Sequence, residues 1–101
     1  MKAYIQAPSR KRFYSSRSPD HITYHEIGHA LHYRGMSDAE RAEIWYKELT
    51  TDERVIATHL SDYSVAGRIE FVAEVYAGLA AQRRFRAEVM DLDDALKGPP
   101  R

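Results

Sequence analysis

The run His25-Glu26-Ile27-Gly28-His29 constrains this chain more than any other segment. On an α-helix, residues four apart lie one turn above each other, so both imidazoles leave the same face and Glu26 sits beside it. The neighbours Tyr24, Ile27, Gly28, Ala30 and Leu31 are uncharged, as a helix buried beneath a cleft requires. Two imidazoles one turn apart can share one metal ion. H-E-x-x-H on a helix is the arrangement in which the histidines hold zinc and the glutamate serves as general base toward a water.

With 101 residues the chain has room for one domain, residues 1–101, and a modest core. A hydrophobic fraction of 44% with 30% charged residues is that of a globular protein and argues against a disordered chain. The formal net charge is zero, so no global field draws the chain to nucleic acid or to a membrane. Without cysteine there are no disulfide staples and no thiolate ligands, which leaves any metal to histidine and carboxylate. No apolar run reaches the length of a signal or transmembrane segment, so the chain as given is not visibly exported.

The fold class read from this pattern is mainly α, α+β at most. Residues 1–17 predict a small N-terminal β-hairpin, with strands at Lys2–Gln6 and Arg12–Ser15 joined through Ala7-Pro8-Ser9-Arg10. Ser18-Pro19-Asp20 is a helix start, with Ser18 as N-cap, and predicts a first helix over 19–34 that stops at Gly35. Ser37-Asp38-Ala39-Glu40 is a capping box for a second helix carrying Ile44, Trp45 and Leu49. A shorter helix over Asp52–Leu60 and a polar connection over Ser61–Gly67 follow. Ile69, Val72, Ala73, Tyr76, Leu79 and Ala80 then mark the buried stripe of the longest helix, over 67–89, with a final turn over Asp91–Lys97.

A catalytic zinc needs a third protein ligand and one open position. The extended H-E-x-x-H-x-x-G-x-x-H is excluded, because it requires glycine at position 32 and histidine at 35, where the chain has His32 and Gly35. His59, Asp62, Glu70 and Glu74 remain as candidates. Glu70 and Glu74 are a turn apart beside Ala66, Ala73 and Ala77, and two acids so close to an apolar stripe require a cation or donors to balance them.

The stretch from Tyr63 through Glu70-Phe71-Val72-Ala73-Glu74 resembles the glutamate helix of the anthrax-lethal-factor-like peptidases. These belong to the gluzincin clan, together with the Pro-Pro endopeptidases. In that family H-E-x-G-H is followed by a tyrosine and, seven residues later, by the ligand glutamate of an E-F-x-A-E motif. The resemblance spans about half the chain, 19–34 and 61–82. It implies a zincin-like core with an active-site helix and a glutamate helix, one Zn2+ held by His25, His29 and Glu70, and Glu26 as catalytic base. Tyr63 is implied as the oxyanion donor and Glu74 as the acid behind a ligand histidine. The activity implied is metalloendopeptidase hydrolysis of a protein or peptide substrate. Larger clan members bind substrate along a sheet edge ahead of the motif helix. Here only about eighteen residues precede it, and a compact helical core with a vestigial sheet would resemble the minigluzincins, very small zinc peptidase-like proteins of the same clan.

Other residues carry plainer readings. His21 and His32 share the face of the motif histidines and read as partly solvated edge residues, and His59 as a helix C-terminal residue. Trp45, Tyr46, Phe71 and Tyr76 read as core aromatics, Arg10-Lys11-Arg12 with Arg17 as a solvated basic cluster, and Gly98-Pro99-Pro100-Arg101 as a solvated terminus. Two rival functions use the same residues differently: a non-catalytic, zinc-stabilised protein-interaction module, and a metal-free helical binding domain.

Overall fold

The structure is a computed structural model and describes residues 13–100. It is mainly helical, with no strand among the described residues. Among the described residues five α-helices are complete: α1 His21–Arg34, α2 Asp38–Glu40, α3 Thr51–Thr58, α4 Arg68–Ala80 and α5 Ala87–Ala95. A π turn, Arg41–Trp45, continues α2, and a 3-10 turn, Tyr63–Ala66, leads into α4.

The first helix begins two residues later than Ser18-Pro19-Asp20 suggests. Ser18 does not cap it; the Ser18 hydroxyl accepts the backbone N–H of Asp20 at 3.1 Å and its carbonyl accepts that of His21, so these residues form a turn before the helix. Its end at Gly35 is as expected. The capping box at Ser37 and Glu40 forms, but the α-helix lasts one turn before Tyr46 N–H bonds back to the Arg41 carbonyl, five residues away. That wider winding buries Ile44 and half-buries Trp45 while Tyr46, read as a core aromatic, is 71% exposed. A second reciprocal capping box, Thr50 with Glu53, opens α3.

The predicted long helix over 67–89 is two helices. It ends at Ala80 because Gln82 takes a left-handed conformation, φ 69, and closes a Schellman motif: Gln82 N–H bonds the Leu79 carbonyl and Arg83 N–H the Gly78 carbonyl, both at 2.9 Å. Phe85 then folds back over Gly78, where a Cβ would lie 2.3 Å from the Phe85 ring. The chain thereby reverses into α5, and α5 closes in the same way at Lys97, φ 64, with Gly98 N–H on the Asp93 carbonyl at 2.9 Å.

Helix α4 is the central element, and it is buried on more than the single stripe predicted. Phe71, Val72 and Val75 join Met36, Ile44, Leu49, Ala57, Leu60, Val89, Leu92 and Leu96 in one apolar cluster drawn from α3, α4, α5, the π turn and the connections beside them. Fully burying a side chain such as Phe71 contributes about 1.5–3 kcal/mol. Of the predicted stripe, Val72 and Ala73 are fully buried, while Ile69, Tyr76, Leu79 and Ala80 are half-buried. Arg68 ties the start of α4 to its neighbours, forking onto both carboxylate oxygens of Glu53 at 3.1 and 3.2 Å and donating to the Glu43 carbonyl at 2.8 Å. The opposite side of α4 packs on α1.

The predicted strand Lys2–Gln6 and the basic residues Arg10, Lys11 and Arg12 lie outside the described residues. Of the predicted second strand, Phe13 is helical and Tyr14–Ser15 form a bend, in which Ser15 turns inward to bond Glu74. The C-terminal Pro99 is buried, not solvated. With Pro100 it lines a pocket of about 460 Å³ shared with Val75, Tyr76, Leu79, Ala80, Met90 and Asp93.

Candidate metal centre

Helix α1 turns an unusual face toward the interior. Its buried residues are His21, His25, Gly28 and His32, a stripe at helical spacing in which three of four side chains are imidazoles. Buried imidazole nitrogens require partners, so this helix can pack only against an element that presents acceptors. Helix α4 does so with Glu70 and Glu74, one turn apart. Gly28 permits the approach: a Cβ there would stand 3.1 Å from the Tyr76 Cβ and 3.3 Å from the Ala73 Cα.

Three nitrogen and oxygen atoms converge at the mouth of this interface. Glu70 Oε1 lies 2.8 Å from His25 Nε2 and 3.1 Å from His29 Nε2. Hydrogen bonds from His25 and then His29 hold the Glu70 carboxyl down to about 2. Burial works to lower His25, but its hydrogen bonds to Glu70 and Glu74 outweigh that and raise it to about 9. With these two bonds His25 is held as an imidazolium bridging two carboxylates at neutral pH.

Behind His25 stands a closed acceptor network. Its Nδ1 donates to Glu74 Oε2 at 2.7 Å, and His21 Nε2 donates to the same oxygen at 2.7 Å. Glu74 Oε1 accepts from the Ser15 backbone N–H at 2.7 Å and the Ser61 hydroxyl at 3.0 Å. Ser16 completes the chain by meeting His21 Nδ1 at 2.7 Å. Glu74 has no exposed surface. Burial alone would favour its neutral form, yet the donors from His25, His21 and Ser15 hold its carboxyl below the usual range. A buried carboxylate so fully bonded is a rigid post against which the His25 ring is set.

Two sets of ligand atoms could therefore hold a cation among the described residues: His25, His29 and Glu70 in one, and His21, His25 and Glu74 in the other. The two differ in access. The His29 and Glu70 side chains keep 20% and 21% of their surface exposed, so the first set leaves a side open to water or to a ligand. The second is wholly buried: His21 Nε2 and His25 Nδ1 already share Glu74 Oε2 at 2.7 Å, while Ser15, Ser16 and Ser61 take the other polar atoms of Glu74 and His21.

The remaining predicted residues fall around the first set. Glu26 is exposed on α1, next to His25. Tyr63 stacks on the His25 ring, with centroids 5.3 Å apart and planes at 26°, and Phe13 stacks on Tyr63 at 5.6 Å. The phenol of Tyr63 is pushed up by the Glu70 charge, by burial, and by further charges that include Glu26. Ser64, buried between the Ala57 and Ser61 carbonyls at 2.8 and 2.7 Å, fixes the 3-10 turn that carries Tyr63. His59 and Asp62, the other two candidates for the third ligand, are exposed and belong to neither set; His59 is the C-cap of α3.

His21 and His32 are not the edge residues that sequence suggests. His21 is buried because Glu74 and Ser16 take both its nitrogens. His32, 1% exposed, donates from Nε2 to the Leu96 carbonyl at the end of α5 at 2.8 Å, and burial pulls it below the ordinary histidine range. Ser15, Ser16 and Ser61, which finish the network, carry no motif. The signal that was available for His21 and His32 is the spacing that repeats the face of His25 and His29. Compared with known proteins, the chain matches no family model, no curated protein and no solved structure.

Proposed function

We propose that the chain is a small zinc-dependent peptidase of the gluzincin kind, with His25, His29 and Glu70 as the metal ligands. The observation that most supports this is the meeting of His25 Nε2, His29 Nε2 and Glu70 Oε1 within hydrogen-bonding distance on a partly open face. Two imidazoles and one carboxylate with an open side is a donor set suited to a catalytic zinc, and the resemblance of the two spaced motifs to the lethal-factor-like peptidases favours the same three residues.

Zinc held by His25, His29 and Glu70 would supply Lewis acidity toward a water and a peptide carbonyl. The chain's own residues do the rest. Glu74 accepts the Nδ1 proton of His25, which fixes the ring and leaves Nε2 as the ligand atom. Glu26, next to His25 and outside both ligand sets, takes a proton from the attacking water and returns it to the departing amine. Tyr63 stays a protonated phenol at neutral pH and donates to the oxygen that gains charge in the transition state. Peptide is the substrate this machinery serves.

The test is a pair of variants assayed against a random peptide pool. Glu26→Gln keeps zinc and loses hydrolysis by about 10²–10⁴-fold, while Glu70→Ala loses the zinc itself. Full activity in either variant rejects the assignment. A parent protein that holds zinc yet leaves the pool intact is instead the non-catalytic interaction module.

A further inference from the structure

One pair of buried atoms is left over by the network. His29 Nδ1 and His32 Nδ1 are both buried and have no hydrogen-bond partner among the described residues. The two residues are three apart on α1, which makes them neighbours on one face. Both rings also lie against Trp45, with centroids at 6.1 Å for His29 and 5.5 Å for His32. The two rings that carry the unpartnered nitrogens thus both meet Trp45, which the π turn places against this face of α1.

We propose that one buried water bridges His29 Nδ1 and His32 Nδ1, and that His32 acts through it as a positioning residue for His29. The protonation of each ring follows from its known partner. A carbonyl can only accept, so His32 Nε2, facing the Leu96 carbonyl, carries the proton and its Nδ1 is a lone pair. In the metal-free protein His29 Nε2 gives its proton to Glu70, and a water can donate to both Nδ1 atoms. When Nε2 serves a metal, the proton of His29 sits on Nδ1; the same water turns, accepts from His29 and donates to His32. A protein acceptor fixed in place would suit only one of these tautomers, whereas water suits both. The line His29, water, His32, Leu96 carbonyl would give the second ligand histidine the support that Glu74 gives the first. The metal-loaded half of this inference rests on the proposed zinc site; the metal-free half does not.

Two measurements test it. A high-resolution crystal structure of the metal-free protein, with imidazole ¹⁵N spectra, is expected to show a water about 2.7–3.2 Å from both Nδ1 atoms and His32 protonated at Nε2. A His32 ring reversed so that Nδ1 faces Leu96, or the space between the two Nδ1 atoms closed without water, overturns the proposal whether or not zinc binds. In the zinc-loaded protein two variants separate positioning from packing. His32→Gln keeps a donor for Leu96 but loses the acceptor for the water, and is expected to weaken zinc retention by about 10–100-fold. His32→Asn keeps an acceptor near Nδ1 and loses the Leu96 bond, so it is expected to melt earlier while holding zinc as the parent does. The reverse pattern of the two also overturns the proposal. A parent that binds no zinc defeats the peptidase reading and leaves the water to the metal-free measurement.

Discussion

His25 Nδ1 stands 2.7 Å from Glu74 Oε2, a carboxylate buried without any exposed surface. This bond ties the edge of α1 that carries His25 and His29 to the centre of α4, so the geometry of the mouth depends on a residue that no solvent reaches. Glu74→Ala leaves His21, His25, Ser15 and Ser61 without their shared acceptor. Removing one partner of a buried charged pair costs about 3–5 kcal/mol, and chemical denaturation of the metal-free variant is expected to show a loss of that size. Glu74→Gln, which keeps the volume, is expected to fold and to bind zinc about 10–100-fold more weakly.

The metal-free protein has a predicted pH signature. His25 is held at about 9 against an ordinary 6.5, so its stabilising contribution is complete below 6.5 and disappears as pH rises through 9. Glu70 is held at about 2 against 4.5, so its contribution is complete above 4.5 and disappears as pH falls through 2. His32, held low by burial, works the other way below 6.5, where the unfolded chain gains a proton that the folded one does not. Denaturation midpoints of the metal-free protein are therefore expected to fall between pH 6.5 and 9. Zinc displaces the Nε2 proton of His25, so its apparent affinity is expected to rise over the same window by about tenfold per pH unit. A midpoint flat across that window would show that His25 is not the bridging imidazolium.

Tyr63→Phe separates the phenol from the ring. The ring stacking on His25 is retained and the hydroxyl is lost, so zinc content is expected to stay unchanged while kcat drops about 10²–10³-fold. An unchanged kcat would remove Tyr63 from the chemistry.

Gly78 controls the site from a distance. A methyl group there meets the Phe85 ring at 2.3 Å and the Ser15 hydroxyl at 2.9 Å, and Ser15 is one of the donors that hold Glu74. Gly78→Ala is expected to cost about 1–3 kcal/mol by overpacking and to loosen zinc as well. A variant destabilised but with zinc affinity intact would show that the Ser15 segment does not support the ligands.

Much of this site could be read from residues alone, and the limits have physical reasons. His25 and His29 stand one turn apart on α1 as Glu70 and Glu74 do on α4, and helices transmit spacing faithfully into space, so the convergence of His25, His29 and Glu70 is a local consequence of two helices once these pack. Glu74 belongs to the same pattern. Ser15, Ser16 and Ser61 reach Glu74 only through tertiary folding and have no periodicity to reveal them. The break at Gln82 has no sequence marker, because glutamine carries the left-handed conformation where glycine is the usual sign. His32 looked like an edge residue because its acceptor, the Leu96 carbonyl, is backbone from the far end of the chain.

The most direct test is diffraction from zinc-loaded crystals, with anomalous data collected on both sides of the zinc absorption edge. One peak is expected, about 2.0–2.2 Å from His25 Nε2, His29 Nε2 and a Glu70 oxygen, with His25 Nδ1 still on Glu74. A peak elsewhere, or Glu70 turned away from the paired rings around a bound ion, would contradict the account.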